Sequence, residues 1–200
     1  MKNLKAALKA IDAGVDGLVV EGGEGGGFKN PQPVMTMVLL PLVREKTDVP
    51  IIAAGGITDG RSMAAAFALG AEGVQMGTRM VSAAESPVHQ NWKDMIVSAK
   101  ETDTVFLNRF GPGPALRALR TEKTTLFEKE PPANIMGEMA NALALYFGGD
   151  MEAAIALSGQ VAGRIDSVKP VAEILSETIA EFEAVVAELG AKYGRVVQTA

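Results

Sequence analysis

The sequence predicts an α/β fold made of parallel strand–helix–strand units, and three features point to it. Short, largely apolar runs recur at Gly17–Val20, Pro50–Ala54 and Gly73–Met76, as in the strands of parallel sheets buried under helices. Each run stops at glycine: a cluster at 22–27, then Gly55-Gly56, then Gly77-Thr78. Between the runs the apolar residues take helical spacing, which gives the alternation of a βαβ chain.

The elements follow in order. Residues 2–13 place Leu4, Ala7, Leu8 and Ile11 on one face, with Gly14 as the stop, so the chain opens in an amphipathic helix. Gly17–Val20 is the first strand and runs into the glycine loop. Pro33–Arg44 is apolar nearly all round, with Pro41 limiting or kinking any helix there. After the second strand, Thr58 or Asp59 caps a helix over Ser62–Leu69, closed by Gly70. Past Arg79 the periodicity predicts helices at His89–Ala99, Ala115–Leu119, Ile135–Phe147, Met151–Ile165 and Val171–Leu189. In the last, Val171, Ile174, Leu175, Ile179, Phe182, Val185, Val186 and Leu189 form one stripe, which asks for a helix partner within the protein. Gly111-Pro112-Gly113-Pro114 and Pro131-Pro132 are breakers. They divide an α/β part, residues 1–110, from a helical segment, residues 111–200, that packs on it.

Composition narrows the function. Of 200 residues 48% are hydrophobic and 22% charged, and no apolar run is long enough to cross a bilayer. With 19 Lys and Arg against 24 Asp and Glu the net charge is −5, which offers no basic face to a nucleic acid. Neither a membrane nor a nucleic acid is an expected partner. There is no cysteine and no signal-peptide stretch after Met1, so a reducing, cytoplasmic setting is expected. One histidine and scattered carboxylates give no metal-ligand spacing.

The glycine pairs carry the chemistry. Gly56 and Gly77 lie 21 residues apart at the carboxyl ends of successive strands. In a β/α barrel the loops after the last two strands commonly hold a phosphate. Glycine lets backbone N–H groups approach phosphate oxygens with no Cβ in the way, and Thr78 adds a hydroxyl. Taken alone, either loop is ordinary turn chemistry; as a pair they predict a phosphate site.

The run Val49-Pro-Ile-Ile-Ala-Ala-Gly-Gly-Ile-Thr-Asp-Gly-Arg-Ser-Met-Ala-Ala-Ala-Phe-Ala-Leu-Gly-Ala-Glu-Gly-Val-Gln-Met-Gly-Thr-Arg79 resembles the FMN-binding half of the nitronate monooxygenase family, formerly 2-nitropropane dioxygenases. Flavin-dependent enoyl-ACP reductases share the pattern. The likeness continues through Glu85-Ser86-Pro87 and, more faintly, Gly149-Asp150-Met151-Glu152 and Gly159-Gln160-Val161-Ala162-Gly163. It implies a TIM-type (β/α) barrel, of which this chain carries the C-terminal half followed by a helical C-terminal segment. It implies FMN as cofactor, with Gly55, Gly56, Gln75, Met76, Gly77 and Thr78 around the phosphate and Glu21, Gly26 and Gly27 at the flavin ring. The implied reaction is oxidation of alkyl nitronates with O2 to a carbonyl compound and nitrite. An enoyl-ACP reductase using FMN and NAD(P)H is the related alternative.

One departure stands out. Members of that family typically read Glu-Ala-Gly-Gly-His where this chain has Glu24-Gly25-Gly26-Gly27-Phe28, and the histidine is taken to act as a base toward the substrate. Phenylalanine has no proton to exchange, so Phe28 is expected to line the substrate side as an aromatic wall. Glu21 and Glu24 are the nearest replacements for a base, His89 reads as a capping or solvated residue, and Lys29 as a solvated cation. No catalytic residue is assigned.

A complete eight-stranded barrel takes about 250 residues, whereas three strands are clear here and Thr104–Leu107 is a fourth candidate. If the phosphate loops follow strands seven and eight, Gly17–Val20 is strand six and the first five are absent. The expectation is a truncated chain whose open strand edge pairs with another chain, as a homo-oligomer or with a missing N-terminal half. A non-catalytic half-barrel is the second alternative.

Overall fold

A computed structural model describes residues 1–194 as a mixed α/β fold with two three-stranded sheets. The first is parallel and orders its strands β1 (Leu18–Glu21), β3 (Ile51–Ala54), β4 (Gly73–Gln75), with Val19 opposite Ile52 and Ile52 opposite Gly73. Three helices cover one face: α1 (Leu4–Asp12), α2 (Thr36–Arg44) and α3 (Gly60–Ala68). Leu18, Val20, Ile51 and Ala53 point into them and meet Ala7, Leu39, Leu40, Val43 and Ala66 in a closed core. The alternate residues face the other way, where Val19 is 38% and Ile52 41% exposed. The strands are therefore apolar on two faces as predicted, but only one face is covered among the described residues, and no closed barrel forms among them. On the free edge of β1 the Met1 backbone takes a strand-like place: its amino group donates to Val19 O, and its carbonyl accepts from Glu21 N at 2.7 Å.

The second sheet is antiparallel, ordered β2 (Gly27–Lys29), β6 (Ala115–Leu119), β5 (Thr104–Leu107). Two expectations change here. Thr104–Leu107 is a strand, but not the next strand of the parallel sheet. Ala115–Leu119 is not a helix; it is the buried central strand, with Arg117 opposite Gly27 and Leu119 opposite Thr104. Five residues are too few for periodicity to decide, and the four apolar residues around Arg117 suit a buried segment in helix or strand alike. Gly113, at φ +90°, turns the hairpin that feeds it.

Two helices, α4 (Thr78–Val81) and α5 (Gln90–Ser98), lead into this sheet. His89 caps α5, its Nδ1 accepting from Asn91 N at 3.1 Å. After α6 (Glu122–Lys129), the predicted helix at 135–147 breaks into a 3-10 turn, Gly137–Met139, and the short α7, Ala142–Tyr146. The predicted helix at 151–165 is absent apart from a 3-10 turn at Gln160–Arg164. Its apolar residues instead fill two cores in irregular backbone, where Ala156 O accepts from Leu119 N at 2.9 Å.

The last helix, α8 (Val171–Tyr193), finds its predicted partner in α3. A Cβ on Gly60 would lie 2.2 Å from Phe182 N and 2.4 Å from Thr178 O, so the two helices touch backbone to backbone. Glu181 Oε2 accepts from Gly60 N at 2.8 Å, and Phe67 meets Phe182 edge-on at 5.1 Å. Ile174, Thr178 and Val185 are buried, while Leu175, Ile179, Val186 and Leu189 on the other shoulder of the stripe are about half exposed. No helix among the described residues is long and apolar enough to cross a membrane. Gly60→Ala should lower the unfolding free energy by about 1–3 kcal/mol, because the atoms that a methyl group meets are backbone and cannot swing aside. Urea denaturation measures this, and an unchanged midpoint would contradict the packing described.

Candidate functional site

The three strands of the parallel sheet end on the same side, and the loops that leave them enclose a cavity of about 270 Å³. Eight of the ten residues singled out from the sequence line it: Glu21, Gly26 and Gly27 after β1, Gly55 and Gly56 after β3, and Gln75, Gly77 and Thr78 after β4. Met76 instead packs into the core beneath the sheet. Phe28 stands outside the lining, opposite Leu116 in the second sheet and 40% exposed. The segment 157–161 closes the cavity with Leu157, Gly159 and Val161. Sequence reasoning assigned that stretch to a helix, although the Gly159-Gln160-Val161-Ala162-Gly163 likeness already marked it.

Glycine is required where these backbones meet. Gly55 and Gly56 have φ of +80° and +82°, which L side chains rarely adopt. A Cβ on Gly55 would sit 2.9 Å from Gly22 O, one on Gly26 2.6 Å from the Ser158 carbonyl carbon, and one on Gly159 2.7 Å from Glu24 O. Gly77 differs, for a Cβ there meets nothing within 4 Å and the position opens on space. Thr78 Oγ1 accepts from Gly159 N at 2.8 Å, which ties the fourth segment to the strand loops.

This packing leaves a set of donors without acceptors. The backbone N–H groups of Gly26, Gly55, Gly56, Gly77 and Thr78 find none among the described residues. Polar backbone groups in a folded protein are nearly always paired with protein, water or ligand. Five unpaired donors around one cavity therefore make it an acceptor site, suited to an anion rich in oxygen.

The charged neighbours are committed elsewhere. Glu21 Oε1 is ion-paired with Lys29, and Lys2 Nζ is 3.7 Å from its other oxygen. Lys29, expected in solvent, is buried and also donates to Gly26 O at 2.8 Å. Burial holds its ammonium below the usual lysine range, opposed by Glu21. Glu24 caps α2, taking Thr36 N with both oxygens and Thr36 Oγ1 with one, all at 3.0 Å. Neither carboxylate stands free in the manner of a general base. Arg117, missed because its segment was read as a helix, is buried beside the same loop and donates through Nε to Gly23 O at 2.7 Å. No group of three or more His, Cys, Asp or Glu among the described residues could hold a metal ion. A second cavity of about 300 Å³ lies between α8 and the segment 164–169, but its charges are largely spent on the pairs Arg164–Asp59 and Lys169–Glu177.

Known proteins share this arrangement. Residues 2–181 match the nitronate monooxygenase family, a family of flavoenzymes. A probable nitronate monooxygenase of Staphylococcus aureus is 35% identical, over 86% of this chain and 52% of its own length. The structure of FabK from Thermotoga maritima superposes with a TM-score of 0.87 at 39% identity, covering 96% of this chain and 62% of that one. A nitroalkane oxidase from Streptomyces ansochromogenes has the same fold, with a TM-score of 0.81 at 24% identity over 94% of this chain and 57% of that one. The chain thus spans about half the length of the curated relatives it matches. Since the matched span takes in all three glycine loops and the segment that closes the cavity over them, this chain belongs to the nitronate monooxygenase family.

Proposed function

We propose that the cavity binds FMN and that this chain forms the flavin-binding part of an oxidoreductase that converts alkyl nitronates and O2 to carbonyl compounds and nitrite. The observation that carries the reading is the ring of unpaired N–H groups on Gly55, Gly56, Gly77 and Thr78, which matches the acceptor-only oxygens of a phosphate. Gly77 leaves room for that phosphate, and membership of a flavoenzyme family supplies the rest. Glu21, Gly26 and Gly27 are then the groups at the ring side, Gln75 stands with the phosphate loop, and Met76 supports that loop from the core. The parallel sheet is read as strands six to eight of a β/α barrel, whose ligand sites lie at the carboxyl ends of the strands. Its uncovered face, Val19 and Ile52, is then the barrel interior, and the complete pocket includes the part of the relatives that this chain does not span.

FMN supplies reversible redox chemistry between substrate and O2. In the net change the C–N bond breaks, a C=O bond forms, nitrite leaves with the bonding pair, and one O2 serves two nitronates. The chain's own part is to hold the cofactor and keep the ring side shaped. Phe28 contributes an apolar surface and no proton, while Glu21 and Glu24 are held by Lys29 and Thr36. This chain's own residues thus supply no base, which fits a substrate that arrives already deprotonated at carbon.

A second reading is an FMN- and NAD(P)H-dependent enoyl-ACP reductase, favoured by the 39% identity to FabK. A half-barrel that binds no flavin is the remaining alternative. Gel filtration after mixing with FMN separates the flavoprotein readings from the last. The chain should retain flavin absorbance, and Gly77→Asp, whose new carboxylate enters the donor ring without a steric clash, should lose it; a flavin-free wild-type chain would refute the FMN reading. The reaction is tested at a pH where nitronate and nitroalkane interconvert slowly. Preformed nitronate should release nitrite much faster than the neutral nitroalkane, whereas equal rates, or flavin reduction by NADH or NADPH in place of nitrite release, would contradict it.

A further inference from the structure

We infer that Arg117 is a positioning residue that holds the glycine loop of residues 22–27 in its binding conformation. The inference rests on the FMN reading of the cavity. Arg117 grips the loop at both ends, for its backbone lies opposite Gly27 across the β2–β6 ladder and its Nε donates to Gly23 O at 2.7 Å. Its other contacts brace it from behind: Nη1 donates to Thr104 Oγ1 at 3.3 Å, and the guanidinium lies 5.2 Å from the centre of the Phe106 ring.

Arg117 is only 6% exposed, yet it makes no ion pair within 4 Å among the described residues, and the carboxylate that acts on it from farther off is Glu24 of the same loop. Burying a guanidinium without an ion pair is unfavourable, and an apolar side chain of similar volume would serve the sheet as well or better. What an apolar residue cannot supply is a donor for the Gly23 carbonyl. Five of the six residues from 22 to 27 are glycine, so the loop has the largest backbone freedom a chain can have. Anchoring it before the ligand arrives removes an ordering penalty from binding. Lys29 holds the Gly26 carbonyl at 2.8 Å in the same way, and the loop is thus fixed by a buried cation near each end. Arg117 does not line the cavity and acts only through the loop.

The test uses the full chain with FMN as titrant, in the wild type, Arg117→Met, Arg117→Lys and Thr104→Val. Arg117→Met should weaken FMN binding at least tenfold and alter the visible circular dichroism of the flavin at saturation. Arg117→Lys keeps a charged donor and should recover most of the affinity, while Thr104→Val, which spares the Gly23 bond, should bind as the wild type does. If Arg117→Met does not fold, amide hydrogen exchange of ligand-free Arg117→Leu, which has no donor for the Gly23 carbonyl, decides. Residues 23–27 should exchange about tenfold faster with β5 and β6 as protected as before, and unchanged exchange of the loop would overturn the inference. Binding by Arg117→Met within twofold of wild type, with the same dichroism, would also overturn it, as would equal losses in Thr104→Val and Arg117→Met. A wild type that takes up no FMN would instead refute the reading on which the inference rests.

Discussion

Everything around the cavity depends on how closely four stretches of backbone approach one another. The loop after β1 bonds to the end of β3 through Gly22 N and Ala54 O at 3.0 Å, and turns back on itself through Gly25 N and Gly22 O at 3.2 Å. Gly55 fits into that turn and Gly26 lies against Ser158, at separations that leave no space for a Cβ on either. A single methyl group at Gly55, Gly26 or Gly159 would push the loops apart. The donors of Gly55, Gly56 and Gly77 would then no longer face one space. Close approach is what converts three ordinary strand ends into one concave set of N–H groups.

Charge around this point is arranged to serve the same end. Unpaired backbone donors sit badly beside free carboxylates, and Glu21 and Glu24, the carboxylates of the adjoining loop, are neutralised or engaged. Glu21 is paired with Lys29, and Glu24 accepts from the backbone N–H and the hydroxyl of Thr36, the first residue of α2. The buried cations Lys29 and Arg117 in turn hold loop carbonyls, which keeps acceptors from competing for the unpaired donors. Unpaired backbone donors gathered in this way suit an oxygen-rich anion.

Much of this was legible in the sequence where local chemistry decides. Apolar runs ending in glycine placed β1, β3 and β4 and the loops that line the cavity, and Gly14, Asp59 and His89 marked helix ends where the structure has them. The failures share a physical cause, which is that a fully buried segment looks the same as helix or strand. Ala115–Leu119 and the stretch 151–165 are apolar because they are enclosed, and tertiary pairing chose their conformation. Arg117 was lost with the first of these. Lys29 was misplaced because it meets Glu21, eight residues earlier, only once the glycine loop between them has folded. The α8 stripe was read correctly as a helix face, but periodicity could not show that α3 covers only one shoulder of it.

The central claim is that backbone donors of the strand loops bind the phosphate of a flavin, and amide chemical shifts test it most directly. In a 15N-labelled chain titrated with FMN, the account predicts that the amides of Gly55, Gly56, Gly77 and Thr78 move downfield together, with inorganic phosphate moving the same four more weakly. Shifts absent from these residues, or centred instead on the cavity between α8 and the segment 164–169 that Arg79 and Arg164 line, would contradict it.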